Sequence, residues 1–214
     1  MIKRILTVCG VLAFAAIPSM ADLTLGVNPS TYPGSGAFDT APYGLFAYQL
    51  VPTINGSDNV LSSWSFYGLT TNPVAPVIYS GSLTSGSGSL QIVWIGSTVT
   101  PLDSGVHTYS ITGAPTLLAG EYLGWQDGVS AGNIALTGQG YGLPNGNGIS
   151  YDNNPGGPAV VGTSYAFTDN STGDRNYYAE FALTGTPEPA FYGIMALGLS
   201  GLAIVISRRK KVKA

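Results

Sequence analysis

Residues 177–184, Tyr177-Tyr178-Ala179-Glu180-Phe181-Ala182-Leu183-Thr184, put Tyr177, Ala179, Phe181 and Leu183 on one side of an extended chain and Tyr178, Glu180, Ala182 and Thr184 on the other. That period of two marks a half-buried strand. Residues 45–51, 62–67, 77–79, 90–95 and 106–111 read the same way, rich in aromatic and β-branched side chains, and 122–125, 133–136 and 164–167 are shorter candidates. Between residues 22 and 185 no stretch keeps a 3.6-residue period over three turns, and Gly, Pro, Asn and Ser gather between the apolar runs. About nine short strands with such spacers predict an all-β fold, an antiparallel β-sandwich of jelly-roll type. The Leu-Thr-Ser-Gly-Ser-Gly-Ser run at 83–89 predicts a flexible loop, and 141–158 predicts a long Gly/Asn/Pro loop.

The two ends are patterned differently. Met1-Ile2-Lys3-Arg4 opens the chain, an uncharged apolar stretch covers residues 5–17, and Pro18-Ser19-Met20-Ala21 follows. A cationic start, an apolar helix and small residues at Ser19 and Ala21 predict a signal peptide over residues 1–21, removed by signal peptidase after Ala21. The apolar stretch falls short of the ~20 residues a spanning helix needs. At the other end Thr186-Pro187-Glu188-Pro189 precedes an uncharged run, 190–206, and then Arg208-Arg209-Lys210-Lys211. As a helix that run rises ~25 Å against a hydrocarbon core of ~30 Å, a gap that bilayer thinning, or snorkelling by Arg208 and Lys210, closes. A transmembrane helix is predicted there, with the basic cluster in the cytoplasm and the body of the protein outside. Pro187 and Pro189 hold the segment before it extended and open to an enzyme. The domain plan is therefore signal peptide 1–21, passenger 22–185 and tail 186–214.

The Pro-Glu-Pro triplet, a single glycine-containing helix and a terminal arginine cluster, together in one tail, resemble the PEP-CTERM sorting domain of Gram-negative bacteria. The matching residues are Pro187, Glu188, Pro189, Arg208 and Arg209; Thr186 stands where the family often has valine, and lysines extend the basic end. The resemblance implies that a membrane-embedded cysteine protease, an exosortase, recognises and cleaves the tail. It also implies that the passenger is associated with extracellular polysaccharide or biofilm. The expected route is export across the inner membrane, transient single-pass anchoring with the C-terminus in the cytoplasm, then release to the cell surface or beyond. The passage 89–133, with Gln91-Ile92-Val93-Trp94-Ile95-Gly96 and Ala119-Gly120-Glu121-Tyr122-Leu123-Gly124-Trp125, is similar to passenger domains of other exported β-sandwich proteins, which bears on fold and not on activity.

Charge narrows the choice of partners. A chain of 214 residues holds one core-bearing domain besides its ends. From Asp22 to Thr186, ten Asp and Glu face one base, Arg175, which leaves that stretch at about −9. One cation cannot neutralise a row of phosphates, so nucleic acid is excluded as a partner, and the acidic surface argues against docking on anionic lipid. Cys9, the one cysteine, falls in the signal peptide, so the mature passenger relies on packing rather than disulfides.

Patterns that suggest chemistry are weak. Gly128-Val129-Ser130-Ala131-Gly132 fits the spacing of a nucleophile elbow, but that device needs a helix after the serine and a later histidine, and the one histidine, His107, comes earlier. A lone histidine builds no zinc or copper site. Asp152-Asn153-Asn154 and the segment 169–174 carry oxygens that calcium accepts, without EF-hand spacing, and turns need the same residues. No metal site and no cofactor is predicted. Trp64, Trp94, Trp125 and Tyr178 are candidates for stacking on sugar rings, with burial in the core as the alternative. Three functional readings follow: a non-enzymatic surface or matrix protein, a carbohydrate-binding module, and a secreted glycan-active hydrolase using Glu121 and Glu180.

Overall fold

The apolar runs form antiparallel ladders in every pair of strands whose register is defined. The computed structural model describes residues 23–52, 59–85, 87–137, 150–152, 155–169 and 176–185. In chain order the strands are β1 (Leu23–Gly26), β2 (Leu45–Leu50), β3 (Asn59–Gly68), β4 (Val74–Thr84), β5 (Ser87–Ile95), β6 (Gly105–Ser110), β7 (Thr116–Leu117), β8 (Tyr122–Asp127), β9 (Leu136–Thr137), β10 (Ser150–Asp152), β11 (Ser164–Asp169), β12 (Asn176–Tyr177) and β13 (Ala179–Gly185). The fold is all-β and antiparallel. The predicted signal helix at 1–21, the segment 186–214 and its predicted transmembrane helix lie outside the described residues; among those described, no helix is long and apolar enough to cross a membrane.

One sheet runs β1-β13-β3-β6, with β7 also pairing β3. The strands β10-β11-β5-β4-β8-β2 close into a six-stranded ring, because β10 pairs both β11 and β2. The ring gives the domain two cores. Phe46, Tyr48, Ile78, Leu123 and Trp125 face out of the ring and pack on Trp64, Phe66, Phe181 and Leu183 of the five-stranded sheet. Leu45, Ala47, Val77, Tyr79, Leu90, Ile92 and Phe167 fill the ring itself. β2, β4 and β8 are the shared wall and are buried on both faces, which explains the unbroken burial of Val74 through Tyr79 where a one-sided strand would alternate.

Two irregularities adapt the wall. Opposite Gly124 and Leu123, β2 carries an extra residue, Tyr48, and this bulge coincides with the Tyr48 ring entering the core between the layers. At Gly124 the backbone of β2 leaves no room for a side chain: a Cβ there would run into the Phe46 carbonyl oxygen. The first and last of these strands, β1 and β13, lie side by side with Leu23 opposite Leu183.

The run at 83–89 is not the flexible loop its composition predicts. Ser82 pairs with Ser89, Leu83 with Gly88 and Thr84 with Ser87, which makes a β4–β5 hairpin, and Ser85 in its tip has a φ of 49°. Serine and glycine have poor strand propensity, but the backbone ladder forms on both sides of β5, since Gly88 and Ser89 also pair Phe167 and Ala166 of β11. Within the predicted loop at 141–158, β10 is the strand that closes the ring.

Candidate functional site

Residues of β3 and β6 on one side, and of β4, β5 and the chain after β5 on the other, line an aromatic cleft. Trp94 of β5, half-buried, stands over Pro76 and Gly96, and with Trp64, Tyr109, Val99 and Ile111 it lines a space of about 60 Å³. Gly96 lets the chain pass beneath the rings, since a Cβ there would come within 2.7 Å of both the Trp94 ring and Pro76. Ser97, Ser110 and Thr112 supply hydroxyls around it, and no carboxylate lines it. The arrangement offers one accessible indole and hydroxyl partners.

The other sugar-stacking candidates lie inside. Trp64 and Trp125 are each 1% exposed, and Tyr178 is buried beneath Tyr32, with ring centroids 5.1 Å apart. Trp125 stacks on Phe46 at 5.1 Å and meets Tyr177 edge-on at 5.1 Å. These rings hold the two layers together, so a row of exposed aromatics across one sheet face is not formed by the four. Large aromatic area in a charge-poor sandwich goes first to the core.

The remaining candidates are placed as follows. His107 is half-buried on β6, near the Phe66 and Tyr109 rings, and its Nε2 lies 3.0 Å from the Asp103 carbonyl oxygen. Gly128 through Gly132 form an irregular turn after β8 with no helix, and Ser130 is exposed. Glu121 is buried, and its carboxylate accepts the Leu118 N–H at 2.8 Å, a structural use, whereas Glu180 sits half-buried on β13. Asp152 ends β10, and Asn153, Asn154 and 170–174 lie outside the described residues. So do Ser19, Ala21, Pro187, Glu188, Pro189, Arg208 and Arg209. Among the described residues no group of three or more His, Cys, Asp and Glu side chains converges as a metal site.

A polar cluster that no sequence pattern pointed to lies where β8 ends. Asp127 is 2% exposed, on the same side of β8 as Leu123 and Trp125. Burial pushes its carboxyl well above the ordinary aspartate value of 3.8; the neighbouring Asp39 carboxylate adds to this, and the Trp125 indole, which stops short of hydrogen-bond geometry, offsets only part. Asp39 accepts a hydrogen bond from the Tyr177 hydroxyl, and its carbonyl accepts the Gly132 N–H at 2.8 Å. Next to it, buried Asn133 accepts from the Thr70 N–H at 3.2 Å and donates to the Asn72 carbonyl at 2.6 Å, which ties the β3–β4 connection to the turn after β8.

No protein-family profile matches the chain, and no curated protein is found similar to it. Among solved structures, a clostridial cysteine protease, Cwp84 after propeptide cleavage, is similar with a TM-score of 0.48 and 13% identity, over 79% of this chain and 41% of that one. The chain spans less than half of that protein's length. At this score and identity the likeness speaks neither for nor against a protease activity here.

Proposed function

We propose that this chain is an exported, non-enzymatic protein of the cell surface or extracellular matrix, sorted by an exosortase through a PEP-CTERM tail. The observation that carries the reading is the order of parts at the C-terminus: Pro187-Glu188-Pro189, an uncharged stretch at 190–206, then Arg208-Arg209-Lys210-Lys211, in a chain that opens with a signal-peptide pattern. The passenger is a jelly-roll-like β-sandwich whose layers are the five-stranded sheet and the wall of the six-stranded ring. Signal peptidase removes 1–21, the tail anchors the chain for a time, and the exosortase releases it.

A second reading, a carbohydrate-binding module of the extracellular polysaccharide, draws its support from the Trp94 cleft alone. The third, a glycan-active hydrolase, finds no support in the cleft, because no carboxylate lines it. Mass spectrometry of the exported protein from cells carrying an exosortase tests the first: the mature chain should begin at Asp22 and lack 190–214. Recovery with Lys213 and Ala214 intact makes the tail a permanent anchor and removes the sorting assignment. Glu188→Ala keeps both prolines but removes the one charge of the motif, so it should slow processing without changing folding.

A further inference from the structure

Among the described residues, the buried side-chain oxygens that lack a hydrogen-bond partner are the two of the Asp127 carboxylate. A carboxylate taken out of water needs a proton or a cation. Asp39 brings a second carboxylate to its side, held by the Tyr177 hydroxyl. The Asp127 Oδ2 and the Asp39 carbonyl oxygen both lie within 2.7 Å of the point where a Gly132 Cβ would sit. Oxygens from two distant segments thus converge beside a residue that has no side chain to put between them. No Lys or Arg falls among the described residues, and Arg175 is the single base from Asp22 to Thr186.

We propose that Asp127 and Asp39 hold a divalent cation, and that it is calcium. The donors are all hard oxygens, carboxylate and main-chain carbonyl, with no thiolate or imidazole, which rules against zinc or copper. Calcium accepts irregular oxygen sets, with carboxylates bound through one or both oxygens and waters completing the shell, whereas magnesium demands a near-ideal octahedron. Two carboxylates place the affinity in the weak range of extracellular modules, about 10⁻⁴–10⁻³ M. A cation there joins the turn after β8 to the segment before β2.

The test is made on the full chain in detergent, with calcium chloride against EDTA as the variable and terbium as a luminescent probe. At about 10 mM calcium the thermal midpoint should rise by roughly 3–10 °C over EDTA. Terbium emission, sensitised through the nearby Trp125 and Tyr177 rings, should appear and be displaced by calcium. Asp127→Asn should abolish both responses while unfolding in EDTA at or above the parent temperature, since it removes a buried charge. Asp39→Asn serves as the second variant and should weaken both, and Arg175→Gln should leave both in place. An unchanged midpoint in calcium overturns the proposal and leaves a proton or Arg175 as the partner of Asp127. Terbium emission or a calcium response that survives Asp127→Asn overturns it too, and moves the site to other acidic segments.

Discussion

The Tyr48 hydroxyl donates to the Tyr177 carbonyl at 2.8 Å, across 129 positions of sequence. It is the bulge in β2 meeting the end of β12, so one hydrogen bond ties the wall of the ring to the strand that leads into β13. Tyr48→Phe keeps the ring and removes this donor. Urea unfolding should report a loss of about 1–2 kcal/mol, and Tyr48→Ala about 3–5 kcal/mol, because it also empties the core site. Equal losses for the two variants would mean that the hydroxyl, not the packing, carries the contribution.

Gly124 should be irreplaceable. Its notional Cβ meets the backbone of Phe46, which cannot rotate away as a side chain does, so alanine must force β2 from β8. Gly124→Ala should cost about 3 kcal/mol or more, seen as an unfolding midpoint well below the parent's. A variant within ~0.5 kcal/mol of the parent would contradict the register of these two strands.

High pH should unfold the domain cooperatively. Burial raises the Tyr48 and Tyr79 hydroxyls above the ordinary value of 10.0, and the Tyr79 hydroxyl donates to the Trp125 carbonyl at 3.1 Å inside the fold. Groups whose folded pKa lies above the unfolded one contribute fully below the unfolded value, and that contribution is lost as pH climbs toward the folded one. Stability should therefore decline from about pH 10 upward, with part of the tyrosinate absorbance appearing together with loss of near-ultraviolet circular dichroism. Tyr79→Phe should move that transition to higher pH. Full ionisation of all tyrosines with the fold intact would contradict the burial of this pair.

Trp94 should be the tryptophan that reports on any sugar. Trp125 does not line the cleft and Trp64 lines it only from within the core, so a polysaccharide that stacks there should perturb fluorescence chiefly from Trp94, and Trp94→Phe should remove most of the response. Aromatic stacking here is worth about 1 kcal/mol beyond buried area. A panel of bacterial polysaccharides with no effect on the parent removes the carbohydrate-binding reading.

The period-two pattern at 177–184 holds over β13, where Phe181 and Leu183 are buried and Glu180 and Ala182 half-buried, but the strand breaks at Tyr178, which is buried where the alternation puts it outside. The runs at 45–51, 62–67, 90–95 and 106–111 also became strands, since alternation and β-branching are local signals. β1, β7 and β10 were missed because four, two and three residues carry too little pattern to be seen without the partners that order them. The closed ring was not legible either, for it depends on β10 reaching both β2 and β11. At the candidate sites, Trp94 was named from composition alongside three rings that the core absorbs. Asp127 and Asp39 belong to no motif or spacing in the sequence, and only the fold brings them together.

Because Leu23 stands opposite Leu183, the order in which the strands are threaded along the chain is not what holds them in place. A short peptide would bridge residues 23 and 184, and the chain could be reopened at the Ser85 hairpin tip, with Thr84 and Ser87 as the new ends of a continuous ladder. Such a circular permutant should fold to the same pair of cores, with β1 and β13 now joined as a hairpin.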